Sequence, residues 1–424
     1  MPEIELYEAR VPMRRPFRHA AKARTASASV LVAVREDGVT GWGESAPREY
    51  VTGESVESVL ASLGRPEVLR SAVEILGLPF DEALSALAGY APGLAPAAAA
   101  GLETALFDHL CRRAGVSGLE ALHRAGFGDV LAARPAPAPV ATVLDLGRDP
   151  VGHLTALSDA ARAAIPHLKL KAGPEPQAAA ESVARVRGLL PAGTTVSVDA
   201  NCAWEAPEVL RRADALLAAG VSWLEEPLAP RSWPELAALR RAGLRVMLDE
   251  SFVSTEDLAD CVTHRAADLV NLRVSKCGGP LRLLTALRVA RRAGLGVQLG
   301  VQVGEVGPLW ATGRLIATAL PYAEAVEAGR QDEWFPPELT APAYEVDRGT
   351  SRAPALTGPG IGLKVTPELL GLCEPRGKQS ADIHQPTDTH QSARTPQPAD
   401  THRPETTHQP EDTRRPENPT RSTA

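Results

Sequence analysis

The chain has 424 residues, 44% hydrophobic and 23% charged, a composition that suits a large soluble globular body and excludes a chain too polar to build a core. Its 52 acidic side chains outnumber 45 basic ones for a formal charge of -7, and no basic stripe runs along it, which argues against nucleic acid as a partner. The N-terminus lacks a signal peptide's basic flank, no apolar stretch is long enough for a bilayer, and Cys111, Cys202, Cys261, Cys277 and Cys373 show no CxxC spacing, so a cytoplasmic protein without membrane anchor, zinc or disulfide framework is expected.

From Ile4 to Glu44 the segments IELYEARVPM, SASVLVAVRED and VTGWGES read as an antiparallel meander. SVESVLASL and the stretch from Ala97 to Ala114 carry apolar residues at helical spacing, with Asp108 and Arg112 placed as an i,i+4 pair. Residues 1–126 are therefore expected to form a small α+β domain. From about Ala138 onward short apolar strands alternate with Ala/Leu/Arg-rich helices: PVATVLD, HLKLKA, TVSVDAN, SWLEEPL, RVMLDES, DLVNLRVSK, GVQLGVQ and YAEAVE. Eight βα units are the number that closes a parallel barrel, so residues 127–327 are read as an α/β fold of the (β/α) barrel type. The lack of GxGxxG after the first strand speaks against an open doubly wound sheet. Residues 328–373, rich in Pro and Gly, include GPGIGLKV as a final strand and are expected to return to the first domain. Residues 374–424 repeat THQS, THRPE, THQPE and TRRPE and hold almost nothing apolar to offset ordering entropy, so a disordered tail is expected. His384, His390, His402 and His408 sit there with a spacing that fits no metal motif.

Polar residues recur at the C-terminal ends of the strand candidates: Lys169 and Lys171 in HLKLK, Asp199 and Asn201 in TVSVDAN, Glu225 and Glu226 in SWLEE, Asp249 and Glu250 in RVMLDE, and Lys276 in VNLRVSK. Each step is one βα unit, which registers these side chains at the barrel rim that carries active sites. Carboxylates from three adjacent strands repel one another in a partly desolvated mouth unless a cation neutralises them. Asp199, Glu225 and Asp249 are therefore expected to ligate a divalent ion. All-oxygen ligands favour Mg²⁺, with Mn²⁺ also suitable. Lys171 is the expected principal base for a proton α to a carboxylate, Lys169 supports the bound carboxylate electrostatically, and Lys276 is a second acid/base or charge stabiliser. The metal and Lys169 offset the charge that develops on the enediolate as the proton leaves.

Taken in order, KxK, DxN, Glu-Glu-Pro, DE and SK at βα spacing, with VTGWGES and GLETALFDH upstream, resemble the enolase superfamily, specifically its muconate lactonizing enzyme subgroup, over roughly residues 3 to 370. The resemblance implies that the first domain and the C-terminal segment cap a modified TIM-type barrel. It also implies two substrate-selecting loops, from Arg14 to Thr25 and from Pro47 to Ser55, in which Arg18, His19, Arg24, Arg48 and Tyr50 are candidates to read a distal polar or anionic group. Glu305, beyond the seventh strand, is a candidate third acid/base or a rim charge. YAEAVEAG lacks the DxD that in dipeptide epimerases would hold a substrate amino group. The expected partner is a small-molecule carboxylate, and a homo-oligomer is expected. Two opposed lysines permit racemisation or epimerisation, ranked first with cycloisomerisation; the alternative outcome is syn-dehydration, as in o-succinylbenzoate synthase. A barrel that only binds ligand would need neither base.

Overall fold

In IELYEARVPM and ASVLVAVRE successive side chains turn to opposite faces, and both faces find an apolar partner. In the computed structural model, which describes residues 2–19, 22–90 and 93–380, these segments form β1 (Glu3–His19) and β2 (Lys22–Glu36), followed by β3 (Val39–Ser45). Ile4, Leu6, Val30, Val32 and Val34 pack toward helices α1 (Val56–Leu63), α2 (Pro66–Leu76), α3 (Phe80–Ala88) and α4 (Pro96–Ala114). Ala9, Val11, Leu31, Ala33 and Trp42 pack instead with Val306, Trp334 and Phe335, from far along the chain. That second cluster seats the sheet on the rest of the molecule.

The glycines of VTGWGES answer to a close approach. A Cβ on Gly43 would stand 1.9 Å from the Gly101 carbonyl oxygen, so only glycine lets β3 lie on α4. Asp108 fastens the same helix: its carboxylate accepts from the amides of Trp42 and Ile361, each at 2.9 Å, and pairs with Arg112 at 2.7 Å, the i,i+4 pair expected.

Eight parallel strands follow, in chain order as in the sheet: β4 (Thr142–Leu144), β5 (His167–Lys171), β6 (Thr195–Asp199), β7 (Trp223–Glu225), β8 (Val246–Leu248), β9 (Leu269–Leu272), β10 (Gly296–Leu299) and β11 (Ala325–Val326). The Ala141 amide donates to the Val326 carbonyl at 2.8 Å and so ties the first strand to the last. All eight lie within the segments expected from sequence. DLVNLRVSK, however, is extended only to Leu272; Val274–Cys277 is a one-turn helix, α5, that ends at Gly278 with φ 90. This turn carries Lys276 off the strand end. No helix among the described residues is long and apolar enough to cross a membrane.

The C-terminal expectations need one correction. From residues 328–373, Trp334, Phe335, Leu339 and Leu369 pack with the first sheet, and within GPGIGLKV Lys364–Val365 pairs with Thr340–Ala341. The chain then adds β12 (Cys373–Ser380), antiparallel to β1 from Ala9↔Cys373 to Glu3↔Ser380, giving the sheet order β12-β1-β2-β3. Residues 374–380, expected to belong to the disordered tail, are thus a strand: the edge of β1 offers unpaired backbone groups, and Arg376 pairs with Glu8 across the two strands. The rest of the tail, with its repeat and its four histidines, lies outside the described residues.

Candidate active site

Parallel pairing aligns the strand ends. Lys171 is opposite Asp199, and Asp199 is opposite Glu225, so the polar residues that close successive strands share one rim. Lys169 and Lys171 alternate by two and therefore point to the same side of β5. The Lys169 amine donates to Glu225 Oε1 and Glu327 Oε1, both at 2.7 Å, and stands 2.9 Å from Asp199 Oδ2. Burial opposes a charge on it, but Asp199, Glu225, Glu327 and Asp249 outweigh that cost and hold its pKa well above the ordinary lysine range. Lys169 is a fixed cation. Lys171 donates to Asp199 Oδ2 at 2.6 Å and to Asn201 Oδ1 at 3.0 Å, and its side chain keeps 12% exposure where that of Lys169 keeps 2%. Both line the cavity, and Lys171 is the more open of the pair.

Six carboxylates gather here, Asp199, Glu225, Glu226, Asp249, Glu250 and Glu327, against four cations, Lys169, Lys171, Arg273 and Lys276. Burial, opposed by Lys169 and helped by the neighbouring carboxylates, pushes Glu225 up to about 7; burial with Asp249, Glu226 and Asp199 pushes Glu250 up to about 8. Asp199 is held well below the usual carboxylate range because Lys169 and Lys171 outweigh its burial. Glu225 is oriented by Asn271 Nδ2 at 2.9 Å and Gln298 Nε2 at 3.2 Å. Glu250 accepts from Asn201 at 3.1 Å, while its Oε2 is buried without a partner. Glu226 turns away from the rim and accepts from the amides of Asp249 at 2.7 Å and Ser251 at 2.9 Å.

Among the described residues no three carboxylate, imidazole or thiol groups converge on one point as a metal site. The three expected ligands stand at one rim, but the Lys169 amine lies between Asp199 and Glu225, and Asp249 is paired with Arg273 and Lys276. The donor chemistry nevertheless suits a divalent cation: all-oxygen groups, more carboxylates than cations, and one carboxylate oxygen, Glu250 Oε2, buried without a partner among the described residues.

Across the cavity from Lys171 the structure puts Arg273, not Lys276. β5 and β9 are the second and sixth of eight strands, on opposite sides of the barrel. Arg273 follows β9 directly, lines the cavity and donates to Asp249 and, at 3.2 Å, to Gln302. Lys276, one turn of α5 later, is fully buried behind Asp249, donating to its carbonyl at 2.6 Å and its Oδ1 at 2.8 Å, and it is not among the residues that line the cavity. Of its two expected roles, second acid/base or charge stabiliser, this position corrects the first, while the contact with Asp249 fits the second.

The other expected positions divide. Asn201, Glu250 and Tyr50 line the cavity. Arg24 lies over the Tyr50 ring, 5.7 Å from its centroid. Arg48 is buried and donates to the carbonyls of Pro47 and Val303, each at 2.6 Å, and of Ala28 at 3.0 Å, so it holds loops together and does not read substrate. Glu305, the candidate third acid/base, is buried and turned into its own loop, accepting from the Gln302 amide at 2.6 Å; burial and nearby Glu44 push it up to about 8. The side chains of Arg18 and His19 lie outside the described residues. Sequence reasoning missed Arg273, Glu327 and Arg330. For Arg273 a signal was present: it stands 24 residues after Asp249, as Asp249 stands 24 after Glu225. Glu327 closes the eighth strand candidate and obeys the strand-end rule as well.

Residues 2–122 match the family model described as the mandelate racemase / muconate lactonizing enzyme N-terminal domain, and residues 154–369 match the enolase C-terminal domain-like model. The chain is 24% identical over 306 residues to N-succinyl-L-Arg/Lys racemase of Bacillus cereus, covering 71% of this chain and 79% of that protein. It is 30% identical over 300 residues to muconate cycloisomerase 1 of Rhodococcus opacus, covering 67% and 75%. A dipeptide epimerase from Enterococcus faecalis, solved with Mg and the dipeptide L-Leu-L-Tyr, superposes with a TM-score of 0.71 at 18% identity over 85% of this chain and 98% of that one, a likeness of fold.

Proposed function

Because the chain belongs to the mandelate racemase/muconate lactonizing enzyme family of the enolase superfamily, we propose that Lys171 takes the proton α to a substrate carboxylate from one face of the carbon while Arg273 presents a fixed positive charge to the other. The chain is an enzyme of the isomerase or lyase kind, as its relatives are. The carrying observation is the pairing across the barrel: an amine that lines the cavity on one side, and opposite it a guanidinium, which stays protonated near neutrality. Asp199, Glu225 and Asp249 are the residues to hold Mg²⁺, or Mn²⁺ in its place; the epimerase of Enterococcus faecalis carries Mg. When bound, such an ion supplies Lewis-acid stabilisation of the negative charge that grows on the substrate carboxylate. Lys169, fixed as a cation, adds to that stabilisation without moving a proton. Asn201 positions the Lys171 amine.

Racemisation by direct proton exchange needs a base on each face. A single base suits outcomes in which one proton moves at one face while a β C–O bond changes: cycloisomerisation, where that bond forms as the α carbon gains the proton, or syn-elimination, where it breaks and the proton passes to the leaving hydroxyl. Incubation of α-CH carboxylates in D₂O with Mg²⁺ tests the reading: deuterium should enter the α position with configuration retained, and EDTA should stop it. Lys171→Ala should lower exchange on the order of a thousandfold, leaving Mg²⁺ affinity within a few-fold. Recovery of racemised substrate would remove the one-faced assignment, and undiminished exchange in the variant would remove Lys171 as the base.

A further inference from the structure

Arg314, on the helix Pro308–Ala317, is only 5% exposed. It lines a small cavity with Trp310 and Gly313 of the same helix, Leu299 of β10, Val326 of β11 and Glu327. Its Nη1 donates to the carbonyls of Glu345 at 3.0 Å and Pro354 at 3.3 Å, whereas its Nη2 is buried without a partner among the described residues. The guanidinium stands 5.6 Å from the ring centroid of Trp310 and 5.2 Å from that of Tyr344. Among the described residues it forms no ion pair. Arg348 and Asp332 act on it electrostatically, but they pair with each other at 2.9 Å and so cancel. Glu327, the carboxylate of the cavity wall, already accepts from Lys169 at 2.7 Å and from the Val301 amide at 3.3 Å. Desolvation lowers the Arg314 pKa, against Tyr344, in keeping with a cation that lacks a counter-charge.

A charge buried without a counter-ion is strongly destabilising. A water molecule would complete the hydrogen bonding of Nη2 and leave the charge unmatched. The cavity has a volume of about 10 Å³, room for one water-sized occupant, so carboxylate, sulfate and phosphate are too large for it. We propose that this cavity is a halide site, in which a single chloride ion accepts from Arg314 Nη2 between the apolar walls. The site lies apart from the lysine rim, and its occupancy does not depend on the chemistry proposed there.

Melting at constant ionic strength tests it, with gluconate, too large for the cavity, replaced stepwise by chloride. The wild-type protein should gain about 2 °C or more along a saturating curve, and bromide should act in the same way. Arg314→Gln, which removes the charge, should melt at one temperature in both salts. A bromide-soaked crystal of the wild-type protein should show an anomalous peak within hydrogen-bonding distance of Arg314 Nη2, and this measurement decides if the Gln variant does not fold. Equal melting of the wild type in chloride and gluconate would mean that water alone fills the cavity and would overturn the proposal. A chloride response that survives in Arg314→Gln, or a bromide peak only at the lysine rim, would overturn it too.

Discussion

His167 lies two residues before Lys169 on the same side of β5, its ring bonded to Thr195 Oγ1 at 2.7 Å and Ser197 Oγ at 2.9 Å and stacked on Trp223 at 4.5 Å. Burial, with Lys169 nearby, lowers its pKa to about 3. Between pH 6.5 and 3 the unfolded chain therefore binds a proton that the folded chain refuses, so this group removes stability as pH falls through that window and has no effect above it. His167→Gln should reduce the slope of unfolding free energy between pH 4 and 6 by about 1.4 kcal/mol per pH unit, read from urea titrations; an unchanged slope would contradict a neutral buried imidazole. At this scale the strand-end carboxylates and lysines were legible because one rule, a polar residue closing an apolar run, places them. Arg48 was not legible in that way. Whether its guanidinium meets a cavity or three carbonyl oxygens depends on Ala28 and Val303, which only folding brings beside it.

Elements were legible where periodicity was strong and misread where a short segment served two patterns. VNLRVSK alternates as a strand does, yet the left-handed residues Gly278 and Gly279 after it close a turn of helix, and that turn exchanges Lys276 for Arg273 at the cavity. The contact of β3 with α4 could be anticipated only as a phrase, because the reason for Gly43 is the Gly101 carbonyl that lies against it. Gly43→Ala is expected to push the strand off the helix and cost about 3 kcal/mol or more of stability, the upper end for overpacking in a tight core. Urea denaturation checks this; a loss below 1 kcal/mol would mean that the sheet and helix separate easily.

On the scale of the whole molecule the first sheet is held to the barrel at points distant in sequence. Glu44 accepts from the amides of Val306 at 2.8 Å and Gly307 at 3.0 Å, and the Trp42 face packs on Trp334 and Phe335. β12 completes that sheet, which separates two truncations. Ending the chain after Ser380 should leave α-proton exchange and melting unchanged, whereas ending it after Leu372 uncovers the edge of β1 and should lower stability by about 2 kcal/mol; equal melting of the two forms would show that β12 contributes nothing. The order of apolar strands, helices and strand-end polar residues determined the barrel, the rim and the kind of chemistry, since side-chain period and βα spacing are properties of the chain itself. Tertiary structure alone decided that Arg314 is buried without a carboxylate partner among the described residues and that residues after Cys373 join the first sheet. Each of these depends on charges or backbone edges that meet only when segments far apart in sequence are packed together.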